Sequence, residues 1–106
     1  MIEDVSPQEF ARRRDAGELW QLLDVREGWE IDIASVSESV DIPMAEIPSR
    51  VAGLDKLAPV AVLCHSGVRS ARVAEFLAQQ GFSRVANIVG GIDAWSTNVD
   101  TAIPRY

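Results

Sequence analysis

The sequence has one cysteine, one histidine and one tyrosine, and no apolar run in it approaches the length that crosses a bilayer. One cysteine excludes an internal disulfide. One cysteine and one histidine also fall short of the four protein ligands of a closed structural zinc site, so neither a metal nor a cofactor is expected. Positive charge is scarce too: the formal net charge is -6, which argues against nucleic acid, because phosphate binding needs a basic surface that releases counterions. The start, Met1-Ile2-Glu3-Asp4, lacks the basic-then-apolar order of a secretory signal. A soluble, cytoplasmic protein with no membrane partner is expected. The lone thiol limits mechanism as well. With no resolving thiol in the chain, whatever Cys64 takes up has to leave to another molecule.

What is present is an ordinary globular composition, 47% hydrophobic over 106 residues, and a length that suits one domain spanning residues 1–106. The initial Met1 fits both a whole small protein and a domain cut from a longer one. Arg12, Arg13 and Arg14 fall in a predicted surface helix near Glu9 and Asp15, and read as a solvated helix face rather than a basic patch.

Along the chain, Ser6-Pro7-Gln8-Glu9 reads as a helix start, with Ser6 as cap, Pro7 at the first turn and Glu9 reaching back. That helix is expected to end near Gly17. Leu19–Val25 and Val60–Leu63 are short apolar runs without helical spacing, the mark of buried strands. Between them come a helical stretch from about Glu27 to Ile33, a polar loop, a brief strand Val40–Ile42, and a helix after Pro43 running toward Gly53. Ser70–Gln80 favours helix, with Val73, Phe76 and Leu77 on one face, Gly81 as left-handed cap and Phe82 as the capping hydrophobe. Val85–Val89 reads as a last strand, Gly90-Gly91 as a tight turn, Ile92–Ser96 as a short helix and Asn98–Tyr106 as an irregular wrap. Strands alternating with helices imply an α/β domain with a largely parallel sheet.

In such sheets ligands gather beyond the carboxyl ends of the strands, and Cys64 stands at the end of one. The loop turns through Gly67 into a helix, so successive backbone amides can face inward as an anion cradle. Donors of that kind favour thiolate and can lower a cysteine from about 8.5 toward roughly 3.5–7.5. The bland alternative is a buried cysteine acting as a small hydrophobe. His65 reads as a loop residue whose backbone does the work. Arg69 has two readings, an oxyanion ligand or a brace paired with Asp24. Arg26 is expected on the same side of the sheet, in a surface ion pair with Glu27 or Glu30 or near a bound anion.

These residues resemble the rhodanese family over essentially the whole chain. The parts are Leu23-Asp24-Val25-Arg26-Glu27, Glu30, Ile42-Pro43, the loop Cys64-His65-Ser66-Gly67-Val68-Arg69-Ser70, and Gly90-Gly91-Ile92-Asp93-Ala94-Trp95. The resemblance implies a five-stranded, mostly parallel sheet flanked on both faces by helices. It also implies a sulfurtransferase in which Cys64 is persulfidated by a donor such as thiosulfate and discharged to cyanide, a thiol, a sulfur-carrier protein or a thioredoxin-like protein. Four residues separate Cys64 from Arg69. The related Cdc25-like phosphatases use five, so phosphatase or arsenate reductase chemistry is disfavoured, as is a non-catalytic docking module. One departure stands out: Ala34-Ser35-Val36-Ser37-Glu38-Ser39 replaces the family's common Gly-His-Ile-Pro-Gly-Ala. The ending, through Val99-Asp100 to Pro104-Arg105-Tyr106, resembles rhodanese domains fused to enzymes that activate ubiquitin-like sulfur carriers.

Overall fold

Five short strands organise the chain in a computed structural model that describes residues 2–106. They are β1 (Ile2–Val5), β2 (Gln21–Asp24), β3 (Ser39–Asp41), β4 (Val60–Leu63) and β5 (Val85–Ile88). All pair in parallel, in the order β1-β5-β4-β2-β3. Parallel neighbours need crossovers, and these are supplied by α1 (Pro7–Asp15), α2 (Gly28–Ile33), α3 (Ile47–Arg50) and α4 (Val68–Gln79), with α5 (Gly91–Asn98) following β5.

The strands are apolar on both sides because both faces of the sheet are covered. Val60 and Val62 of β4 join Leu23, Val25 and Val85 in a core roofed by Val73, Ala74 and Leu77 of α4. Ala61 and Leu63 point the other way, into a core with Leu22, Ala86, Ile88, Phe10 of α1, and Ile92 and Trp95 of α5. β4 therefore lies at the centre in both directions, and the loop after it sits where two layers of helices meet.

Several expectations hold and several shift. Gly81 takes a left-handed φ of +92°, and the Phe82 amide returns to the Leu77 carbonyl at 3.2 Å, as the capping pattern predicts. Ser6 caps α1 by accepting the Glu9 amide at 3.1 Å. The Glu9 carboxylate does not reach back; Arg12 and Arg13 hold it at 2.7–2.8 Å instead. The helix expected from Pro43 to Gly53 is broken into a 3-10 turn (Met44–Glu46), α3, and a second 3-10 turn (Val51–Gly53). Helix α4 starts two residues earlier than expected, at Val68. Strand β1 was not legible as an element: it lies at the sheet edge with Glu3 and Asp4 in its middle, and only its pairing with β5 makes it a strand.

Candidate active site

Cys64 follows directly on β4 and is 1% exposed. Its Sγ accepts the Gly67 amide at 3.1 Å and donates to the Ser70 hydroxyl oxygen at 3.3 Å. Gly67 caps α4 with φ +100°, and a Cβ there would lie 3.1 Å from the backbone nitrogen of Gly90. Glycine is therefore required both for the turn and for the close approach. Burial pushes the Cys64 thiol up, but the Ser70 hydroxyl and the backbone amides of Ser70, Gly67 and Ser66 outweigh it and bring the thiol below its ordinary value.

The loop's amides face inward because its carbonyls are held outward. The Ile92 amide bonds the Cys64 carbonyl at 2.9 Å, and the Asp93 amide bonds the His65 carbonyl at 3.1 Å. In a planar trans peptide, N–H and C=O point in opposite directions. Fixing these two carbonyls on the first turn of α5 thus turns the amides of His65 and Ser66 away from α5. The pair Gly90-Gly91, expected as a tight turn, is the cap and first residue of that helix. Gly91 has φ +57°, and a Cβ on it would run into the carbonyl oxygens of Cys64 and His65.

The charged residues pair differently from expectation. Arg26 is fully buried rather than at the surface, its guanidinium forked onto Asp24 at 2.8–3.2 Å. It also donates to the carbonyls of Glu30 and Ala34. Neither Asp24 nor Arg26 is placed to meet an anion. Because Arg26 occupies Asp24, Arg69 cannot brace there. It makes a two-pronged pair with Glu30, at 2.7 Å for each contact. Arg69 first of all, with the Glu27 amide and the Tyr106 hydroxyl, overcomes burial and holds the Glu30 carboxyl at about 2.

Tyr106 ties the two pairs together. Its hydroxyl accepts from Arg26 at 2.9 Å and donates to Glu30 at 2.9 Å. Its ring stacks on His65, centroids 4.2 Å apart, and meets the edge of Trp29. The irregular wrap expected after Asn98 is present, and it ends beside the cysteine loop. Glu30, Tyr106 and Asn87, whose Oδ1 accepts the Ser70 hydroxyl at 2.6 Å, were not singled out for the site from sequence. The available signal for Asn87 was an amide inside the apolar run Val85–Val89.

A parallel α/β domain with a cysteine loop at the carboxyl end of its central strand defines the class. The chain belongs to the rhodanese family: the Rhodanese-like domain matches residues 6–98. A protein named "Sulfurtransferase" from Allochromatium vinosum is 33% identical, the match covering 91% of this chain and 90% of the relative. The "Putative sulfur carrier protein YrkF" of Bacillus subtilis is 35% identical over 90% of this chain. The chain spans about half of that relative's length, 51%. Among solved structures, a Rhodanese-like domain protein from Staphylococcus aureus superposes with a TM-score of 0.84 at 27% identity, covering 98% of each chain. No helix among the described residues is long and apolar enough to cross a membrane.

Proposed function

We propose that this protein is a sulfurtransferase in which Cys64 carries sulfane sulfur as a persulfide. The observation that carries the reading is a single buried sulfur that meets the Gly67 amide and the Ser70 hydroxyl at the start of α4, with its thiol brought below the ordinary value. The Cys64 thiolate attacks the outer sulfur of thiosulfate; a new S–S bond forms, the old one breaks, and sulfite leaves with the bonding pair. The resulting persulfide anion rests among the inward amides of the loop from His65 to Ser70. A nucleophilic acceptor then takes the terminal sulfur and returns Cys64 as thiolate. Cyanide serves in an assay, and a thiol, a thioredoxin-like protein or a sulfur-carrier protein serves in the cytoplasm. The names of the relatives, one a sulfurtransferase and one a sulfur carrier, support this class of partner.

Phosphoryl or arsenate chemistry on the same cysteine is less well supported. Only four residues separate Cys64 from Arg69, one fewer than in the related phosphatases; the filled fork of Arg69 does not discriminate, because thiosulfate is also a tetrahedral dianion.

The test is the intact mass of wild type and Cys64→Ala after incubation with thiosulfate, before and after cyanide. The expected result is a gain of about one sulfur atom on wild type alone, removed by cyanide, as an activated thiolate requires. Mass unchanged with thiosulfate and also with an organic persulfide would defeat the proposal, and turnover of an aryl phosphate abolished in Cys64→Ser would replace it.

A further inference from the structure

Asn87 is the one polar side chain in β5, and it is 6% exposed. It lies in the same strand as Val85, two residues on, where the core facing α4 otherwise holds apolar side chains. A buried amide is costly unless it is bonded, so its partners are informative. Its Oδ1 accepts the Ser70 hydroxyl at 2.6 Å, and its Nδ2 donates to the Gly67 carbonyl at 3.4 Å. Both residues also contact the cysteine sulfur, Gly67 through its amide and Ser70 through its hydroxyl. One side chain from a strand outside the loop thus bonds the hydroxyl that meets Sγ and the carbonyl of the glycine whose amide meets it.

The chemistry of an amide suits this place for a second reason. In the thiol form the chain of donors runs from Sγ–H to Ser70 and from Ser70 O–H to Asn87 Oδ1. When the thiol gives its proton to solvent, sulfur becomes an acceptor only, and the Ser70 hydrogen has to turn toward it. That leaves Oδ1 facing a hydroxyl oxygen with no hydrogen between them. Half a turn of the amide puts Nδ2 in its place, so that Asn87 donates to Ser70 and Ser70 donates to the anion. The long contact to the Gly67 carbonyl is given up. A carboxylate can only accept and cannot follow this reversal, and an apolar side chain can do neither.

We propose that Asn87 is a positioning residue for the Cys64 sulfur: it holds the Ser70 hydroxyl beside Sγ in both protonation states, ties down Gly67 in the thiol form, and lets the Ser70 hydroxyl switch from acceptor for the thiol to donor for the anion. This rests on Cys64 being the nucleophile, but it is tested without sulfur transfer. Because the chain has one cysteine, the ultraviolet absorbance of the thiolate can be followed against pH, with the matching Cys64→Ser protein subtracting the Tyr106 signal. Asn87→Leu and Asn87→Asp are each expected to require a higher pH, with about tenfold less thiolate at a given pH below the midpoint, the size of one hydrogen bond lost behind the Ser70 hydroxyl. The Asn87→Leu effect is expected to shrink in a Ser70→Ala background, since it acts through that hydroxyl. A folded Asn87→Leu protein that titrates like wild type would overturn the proposal, and so would a lower melting temperature with the midpoint unmoved. Wild-type protein gives a test that needs no variant at position 87. The Asn87 side-chain amide resonances are expected to move with the cysteine titration and to stay fixed in Cys64→Ser; fixed resonances in wild type sink the idea even if neither variant folds. Absent sulfur loading with this titration intact would defeat the transferase reading alone.

Discussion

Two neighbouring regions at the carboxyl end of the sheet solve opposite problems. The cysteine loop surrounds a sulfur with backbone amides that donate to it and one hydroxyl that accepts from it, and the side-chain bonds of Sγ involve no charged group. The block beside it, Asp24, Arg26, Glu30, Arg69 and Tyr106, is rich in charge, and every charge there is spent on another member. The arginines which look most like anion ligands in the sequence serve as framework, while the cysteine sulfur is met by peptide groups and a hydroxyl. A buried ion pair costs much to desolvate and is worth most when whole, whereas inward amides are pre-aimed donors that need no reorganisation as charge appears.

The comparison is broken most severely at Gly91. Gly91→Ala drives a Cβ into the two carbonyls that orient the loop, and persulfide loading in the mass assay is expected to fall by about a hundredfold or more, the scale of a lost oxyanion donor. Arg26→Met attacks the other region by leaving Asp24 buried and unpaired. Its expected signature is a loss of about 3–5 kcal/mol in denaturant unfolding, with the thiolate titration of the surviving folded protein close to wild type.

Glu30→Gln sharpens the contrast further. The Glu30 carboxyl titrates at about 2 when folded against an ordinary 4.5, so the unfolded chain binds the extra proton first. The pair's contribution is therefore complete above about pH 4.5 and is lost as pH falls through about 2. Glu30→Gln is expected to cost about 2 kcal/mol at neutral pH, allowing for the solvent-facing edge of Arg69, and to flatten stability against pH across that acid window. The same change frees the Arg69 guanidinium and is expected to lower KM for thiosulfate severalfold while leaving KM for an uncharged persulfide donor unmoved. If both constants stay put, Arg69 does not sense the donor at all.

The smallest effect lies away from both regions. Glu38 has φ +64°, in the left-handed region that costs a non-glycine residue about 1 kcal/mol, and it occupies one of the positions where the family commonly has glycine. Glu38→Gly is expected to raise stability by about 0.5 kcal/mol, the relief of strain offset partly by glycine's greater freedom when unfolded, with sulfur loading unchanged. A drop in stability would mean the Glu38 side chain holds that turn.

Much of this was legible because it is local. The run Val60–Leu63, the step to Cys64, the glycine at 67 and the helix after it are consecutive, so strand, loop and cradle follow from adjacency. The five-stranded parallel sheet was implied by the resemblance rather than by pattern, since β1 is four residues long with two carboxylates inside it. Partner choice was not legible. Whether Arg69 meets Asp24 or Glu30 depends on how α2 sits over the end of β2, and on Arg26 folding back onto Asp24 two residues away. Nor does any spacing bring Tyr106 to Arg26, since that contact exists only once the tail has wrapped. Asn87 reads as a filler in a strand until its neighbours across the core are known.

The two amides that aim the loop belong to Ile92 and Asp93, and the ring that covers His65 belongs to Tyr106. All three lie downstream of Cys64 in the chain, so the setting of the thiol is completed by segments outside its own strand, loop and helix. The orientation of its loop depends on the docking of α5 and the tail, in a domain that folds as a unit. The helix that follows β5 thereby ties the state of a thiol lying some thirty residues earlier in the chain to the closing of the fold around it.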